Sequence, residues 1–158
     1  MDTREMNLIM NIVVYSIGKG MTNLIGDKGL VARQAGIAMI DDKASVLLKA
    51  LGFPEFKEGE SIDSIMNKIK EFLINKQVVQ KFDIIKSEEN SAVIEIRDCI
   101  FSQAARMARE SNIQPICAII SLLAGIIRKY AGKEFTVKSI DYDLTKNTEH
   151  FEIEIAEF

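Results

Sequence analysis

Hydrophobic positions recur along this chain at two different periods, and the change of period divides it. Met6, Ile9, Met10, Val13, Val14, Ile17, Met21 and Leu24 fall three and four residues apart, which predicts one amphipathic helix over 3–25 capped by Asp2 or Thr3. Gly26-Asp27-Lys28-Gly29 reads as a turn, and a second helix is expected over 30–51 with an interruption near Asp41 and Asp42. Gly52-Phe53-Pro54-Glu55 ends the helical run. Ser61 then caps a third helix over 62–75, whose buried stripe is Ile62, Ile65, Met66, Ile69, Phe72 and Leu73.

Beyond residue 77 the period drops from 3.6 to 2. Segments 78–86 and 92–98 flank Ser87-Glu88-Glu89-Asn90-Ser91, a hairpin signature. In the second of these strands Ile94 and Ile96 face one side, and Val93, Glu95 and Arg97 the other. A short helix over 101–110 turns Phe101, Ala104, Ala105 and Met107 inward. Asn112 or Gln114 opens the next helix, with Pro115 suited to its first turn and Cys117 close behind. Ile116, Ile119, Ile120, Leu123, Ile126, Ile127 and Tyr130 cover most of that helix's circumference. It is therefore the expected core helix, stopped by Gly132. Segments 134–143 and 149–157 form a second hairpin across 144–148. Helices, hairpin, helices, hairpin is an α+β order. It predicts one domain over 1–158, an antiparallel four-stranded sheet packed against about five helices.

Composition narrows the function classes. The chain has 158 residues, 47% of them hydrophobic, enough to bury one core. Its net charge is −3 with no basic stripe to neutralise phosphates, so nucleic acid is not an expected partner. The apolar runs 116–120 and 122–127 fall far short of the ~20 residues a membrane-spanning helix needs. The opening Met-Asp-Thr-Arg-Glu-Met is polar and unlike a signal peptide, and two cysteines are too few for a disulfide framework. A cytoplasmic location is the expectation. Seven methionines and no tryptophan suit either irregular core packing or an adaptable apolar pocket.

Catalytic signatures are missing. Gly18-Lys19-Gly20 lies inside a helical pattern without the preceding strand that a phosphate loop requires. The single histidine, His150, would have to serve any Ser-His or Cys-His pair, and no motif joins it to one. Ser16 and Gly20, four apart on the first helix, admit close approach of another helix, either within the chain or across a homodimer seam.

A family likeness covers nearly the whole chain, the N-terminal helix and its glycine-containing end included. An early cysteine in an apolar helix, a glycine stop, then strand, polar turn and strand follow an earlier hydrophobic strand ending in Asp98-Cys99. This pattern resembles the 4-vinyl reductase, or hydrocarbon-binding, domain, whose fold is similar to that of TRAPP-type trafficking subunits. The resemblance implies a small-molecule sensing module. It also implies a zinc site in those members that bind the ion, built from a helical Cys, a Glu-x-x-Cys and a Cys opening the last strand. Cys117 matches the helical ligand. Ser139-Ile140-Asp141-Tyr142 departs from Glu-x-x-Cys, leaving Asp141 or Asp143 as a substitute carboxylate, and His150 or Glu149 falls where the last Cys is expected. Alternation of Phe151, Ile153 and Ile155 sets Glu149 on the apolar face and His150 with Glu152 and Glu154, unless a bulge reverses it. Phe135 and Val137 likewise set Ser139, Asp141 and Asp143 on the apolar face. A closed four-ligand zinc would be structural.

An apolar gap between the core helix and the sheet is the expected ligand site, lined by Ile94, Ile96, Val137, Cys117 and Ser121. Ser121 either orients a ligand or bonds back to its own helix. The leading expectation is a non-catalytic, homodimeric module for a small apolar or aromatic molecule, paired through its N-terminal helix. One alternative is a reductase or accessory protein of tetrapyrrole vinyl reduction, which lacks a nicotinamide or flavin fingerprint here. Another is a dimeric interaction subunit without ligand.

Overall fold

The change of period near residue 80 is where helices give way to sheet. The computed structural model describes residues 3–25, 28–88, 90–112 and 117–157. Four helices come first: α1 (Thr3–Ile25), α2 (Lys28–Met39), α3 (Asp42–Ala50) and α4 (Ile62–Asn75). Strands β1 (Lys81–Glu88) and β2 (Ser91–Arg97) precede α5 (Ser102–Glu110) and α6 (Ala118–Ile126). A single π turn (Ile127–Ala131) extends α6 before β3 (Lys133–Asp143) and β4 (Thr148–Glu157). All strand pairs are antiparallel, in the order β1-β2-β4-β3, so β2 and β4 join two local hairpins at the middle of the sheet. The α+β class and the four-stranded antiparallel sheet follow the sequence pattern. No described helix is long and apolar enough to cross a membrane.

One face of the sheet is the core. Phe82, Ile94, Ile96, Phe135, Phe151, Ile153 and Ile155 are all buried there, with Ile65, Met66 and Ile69 of α4 and Ile119, Leu123 and Ile126 of α6 in the same cluster. Ser61 caps α4, its Oγ accepting from the Ser64 amide at 3.3 Å. At the far end Gln77, at φ 56°, turns the chain out of the helix. The first strand therefore begins at Lys81 rather than at residue 78, and Val79 is buried before the strand starts.

Other boundaries moved for local reasons. The expected helix over 30–51 is two helices, interrupted at Ile40 and Asp41, beside the pair of aspartates that suggested a break. In α5 the buried residues are Ala104 and Ala108, four apart, and Ala105 and Met107 are only half-buried. Cys117 is the N-cap of α6, just outside its first turn, and its carbonyl accepts from the Ser121 amide at 2.9 Å. Gln114 and Pro115 lie outside the described residues. Gly132 stops the helix in the left-handed conformation, φ 66° and ψ 29°, as a C-terminal glycine should.

β3 holds the main surprise. Its pairing with β4 shifts register between Val137 and Ser139, a bulge at Lys138. Beyond it the inward residues are Ile140, opposite Phe151, and Tyr142, opposite Glu149. Ser139 and Asp141 are thereby carried to the outer face and are exposed. The expectation that they share the apolar face fails because one extra residue inverts a period of two.

The helical layer is tied by two features. Gly36 of α2 lies against Ser121 and Gly125 of α6, backbone to backbone. Asn11 joins α1 to the β2–α5 region. Its Nδ2 donates to the carbonyls of Asn7 at 2.8 Å and Ile100 at 2.7 Å, and its Oδ1 accepts from the Ala104 amide at 2.7 Å.

Candidate functional site

Two regions at opposite ends of α6 stand out, separated by about 20 Å of helix at 1.5 Å per residue. The first surrounds Glu149 at the start of β4. Regular alternation through Phe151 and Ile153 turns its carboxylate onto the inner face, between Ile96 on β2 and Tyr142 on β3. Only 4% of the residue is exposed. Burial pushes its pKa up to about 7, and Arg109 of α5 moderates the rise. No hydrogen bond joins the carboxylate to another described residue. The Arg109 guanidinium lies 4.8 Å from the Tyr142 ring centroid, and its buried Nε has no hydrogen-bond partner among the described residues.

Two left-handed residues brace this corner. Asp98 at φ 50° and Asn147 at φ 48° end β2 and precede β4. The Asp98 amide donates to the Asn147 carbonyl at 3.0 Å, and Asn147 Nδ2 donates to Asp98 Oδ1 at 2.8 Å. Tyr142 Oη donates to Asn147 Oδ1. Cys99 is buried and Cys117 half-buried beside them. Burial first, and then the Glu149 charge, raises both thiols, that of Cys99 to about 12. Both thiols are thus held towards the protonated form, which disfavours a nucleophilic role.

The anticipated metal residues are not brought together. Cys117 lies on the inner side of the sheet with Glu149. His150 and Asp141 are cross-strand partners on the outer face, where His150 Nε2 is 3.1 Å from Glu95 Oε2. No group of three His, Cys, Asp or Glu side chains that could hold a metal ion forms among the described residues. With His150 and Asp141 on one side of the sheet and Cys117 on the other, these residues do not fit the zinc the family likeness implies.

The anticipated pocket residues are in the interior. Ile94 and Ile96 are closed into the core, Val137 is half-buried, and Ser121 is 1% exposed. The Ser121 Oγ has no hydrogen-bond partner among the described residues, so it does not bond back to its helix.

The second region is a groove that sequence reasoning missed. After α3, residues 52–57 fold back onto the C-terminal end of α6. The Phe53 amide donates to the Leu48 carbonyl at 2.9 Å, and the Gly59 amide to the Tyr130 carbonyl at 2.7 Å. The π turn thus supplies both a ring and an acceptor to the fold-back segment, a frequent role for such turns at functional sites. Phe53 meets Phe72 edge-on at 4.9 Å and Phe56 at 5.9 Å, while Phe56 lies 5.4 Å from Tyr130. Between these rings and α3 opens a groove of 290 Å³ lined by Ile40, Ser45, Leu48, Lys49, Phe53, Pro54, Glu55, Phe56, Ile126 and Tyr130. The signal in the sequence was the Phe53-Pro54-Glu55-Phe56 run, two rings around a proline in an interhelical segment.

No protein-family model matches this chain, and no curated protein matches it.

Proposed function

We propose that this domain binds a small apolar or aromatic molecule without transforming it, and that the groove beside Tyr130 receives the ligand. The observation that carries the reading is the groove itself. It is a concave 290 Å³ space walled by three aromatic rings and by Ile40, Leu48 and Ile126, with few polar groups at its rim. Six of its lining side chains are aliphatic or aromatic hydrocarbon, Ile40, Leu48, Phe53, Pro54, Phe56 and Ile126, a surface suited to holding an apolar molecule. The likeness to hydrocarbon-binding domains supports the same ligand class, with the site moved from the sheet to the far end of α6. Native mass spectrometry of the purified protein tests this. Retained mass from a small apolar ligand is expected in the wild type and is lost in Leu48→Glu. Retained ligand that survives Leu48→Glu contradicts the groove as its site.

A second reading has its own observation. Met10, Val13 and Ile17, at i, i+3 and i+7 on α1, are 37%, 48% and 57% exposed, an apolar stripe on the helix expected to form a homodimer seam. Sedimentation equilibrium separates the possibilities. A dimer that dissociates in Val13→Glu/Ile17→Glu supports the seam, and a wild-type monomer excludes it.

A further inference from the structure

The chemical class of the ligand can be drawn more narrowly from the charges around the groove, an inference that rests on the groove being the binding site. We propose that the ligand is an amphipathic anion, a short acyl chain or single ring bearing one carboxylate, with its apolar body on the aromatic wall and its carboxylate at Lys49.

Three ammonium groups surround the aromatic wall. Lys68 Nζ stands 5.3 Å from the Phe56 ring centroid, and Lys129 Nζ stands 5.5 Å from that of Tyr130. Lys49 lines the groove directly. Lys68 is held by Glu60 Oε1 at 2.5 Å and by the Glu55 carbonyl at 3.0 Å. Lys129 donates to the Ile40 carbonyl at 3.1 Å and pairs with no carboxylate among the described residues.

These positions decide against an organic cation. Aromatic walls attract cations through the negative faces of their rings. Here two of the rings already carry lysine ammonium groups from this chain, so the cation–π positions a cationic ligand would use are taken. A carboxylate instead finds Lys49, whose side chain lines the groove itself.

Lys49 is free to answer that anion. Its contact with Glu55 is 3.7 Å, and the two side chains are 66% and 83% exposed. Such a pair contributes little, so a ligand carboxylate can replace Glu55, which swings into water at small cost. The volume sets the size. At about 30 Å³ per water, 290 Å³ is the room of roughly ten water molecules, enough for a medium-length chain or one substituted ring and too little for a long lipid.

Isothermal titration with three probes that share an eight-carbon chain tests the inference: octanoate, octanol and octyltrimethylammonium, with wild type and Lys49→Gln. Lys49 is well exposed, so its replacement leaves the fold intact. Octanoate should bind about fivefold more tightly than octanol, and Lys49→Gln should erase that margin. Equal affinity for octanoate and octanol, or preference for the ammonium probe, overturns the anion assignment and leaves the apolar groove standing. Failure of all three probes to bind overturns the groove itself, and the ligand class with it.

Discussion

Gly36 and Gly125 let α2 and α6 touch backbone to backbone. A Cβ on Gly36 would stand 1.9 Å from the Ser121 carbonyl oxygen, and one on Gly125 would stand 2.4 Å from the Gly36 carbonyl oxygen. Helix-interior glycine is normally unfavourable, and its replacement by alanine should gain about 0.5–1 kcal/mol from propensity alone. Here the blocking atoms are main-chain atoms that cannot rotate aside. Gly36→Ala and Gly125→Ala are each expected to destabilise the domain by about 2–3 kcal/mol, read from urea midpoints. An unchanged or higher midpoint would mean that the helices do not cross this closely.

Glu149 makes stability depend on pH in an unusual direction for a carboxylate. Its pKa rises from 4.5 to about 7 in the folded state, chiefly by burial. Between those values the folded protein binds more protons than the unfolded chain, so stability falls as pH rises through that window and levels off above it. The groups facing the carboxyl are Arg109, Tyr142, Cys99 and Cys117. The shift corresponds to a loss on the order of 3 kcal/mol across the window. Glu149→Gln should remove this dependence, so the wild type loses stability relative to the variant between about pH 4.5 and pH 7. Parallel denaturation curves at all pH values would refute a buried, unpaired carboxyl.

The thiols should be inert in the native state. Cys99 and Cys117 are both pushed towards the protonated form, mainly by burial. Ellman's reagent at about pH 8, where an ordinary exposed thiol is substantially ionised, should label neither until denaturant is added. Rapid native labelling of both would place them in a solvated pocket instead.

Asn11 satisfies the Ile100 carbonyl and the Ala104 amide where the chain leaves β2 and enters α5. It is 3% exposed, so water cannot replace it. Asn11→Leu should cost about 2–3 kcal/mol by leaving those groups unpaired, against less than about 0.5 kcal/mol for His150→Gln on the outer face of the sheet. Amide exchange at Ala104 should accelerate in the Asn11 variant alone.

What the sequence disclosed, and what it hid, follows from how local each feature is. Alternation of Phe151, Ile153 and Ile155 set Glu149 inward and His150 outward only if no bulge intervened, and β4 runs unbroken through those residues. The same rule misplaced Asp141, because the bulge at Lys138 is marked by no glycine or proline and adds one uncounted residue. Gly36 lies within an ordinary helical pattern, and nothing near it in the chain reveals that Gly125 is its partner. The groove was equally hidden. Its rings come from Phe53 and Phe56 on one side and Tyr130 on the other, and only the fold-back of residues 52–57 brings them together.

Chemical-shift mapping with octanol tests the central claim most directly, since a neutral probe reports the apolar groove independently of any charge at its rim. The account predicts saturable shifts concentrated at Leu48, Phe53, Phe56 and Tyr130, with the amides around Glu149 and Cys117 unmoved. Shifts centred instead on Ile94, Ser121 and Cys117, or none that saturate, would contradict it.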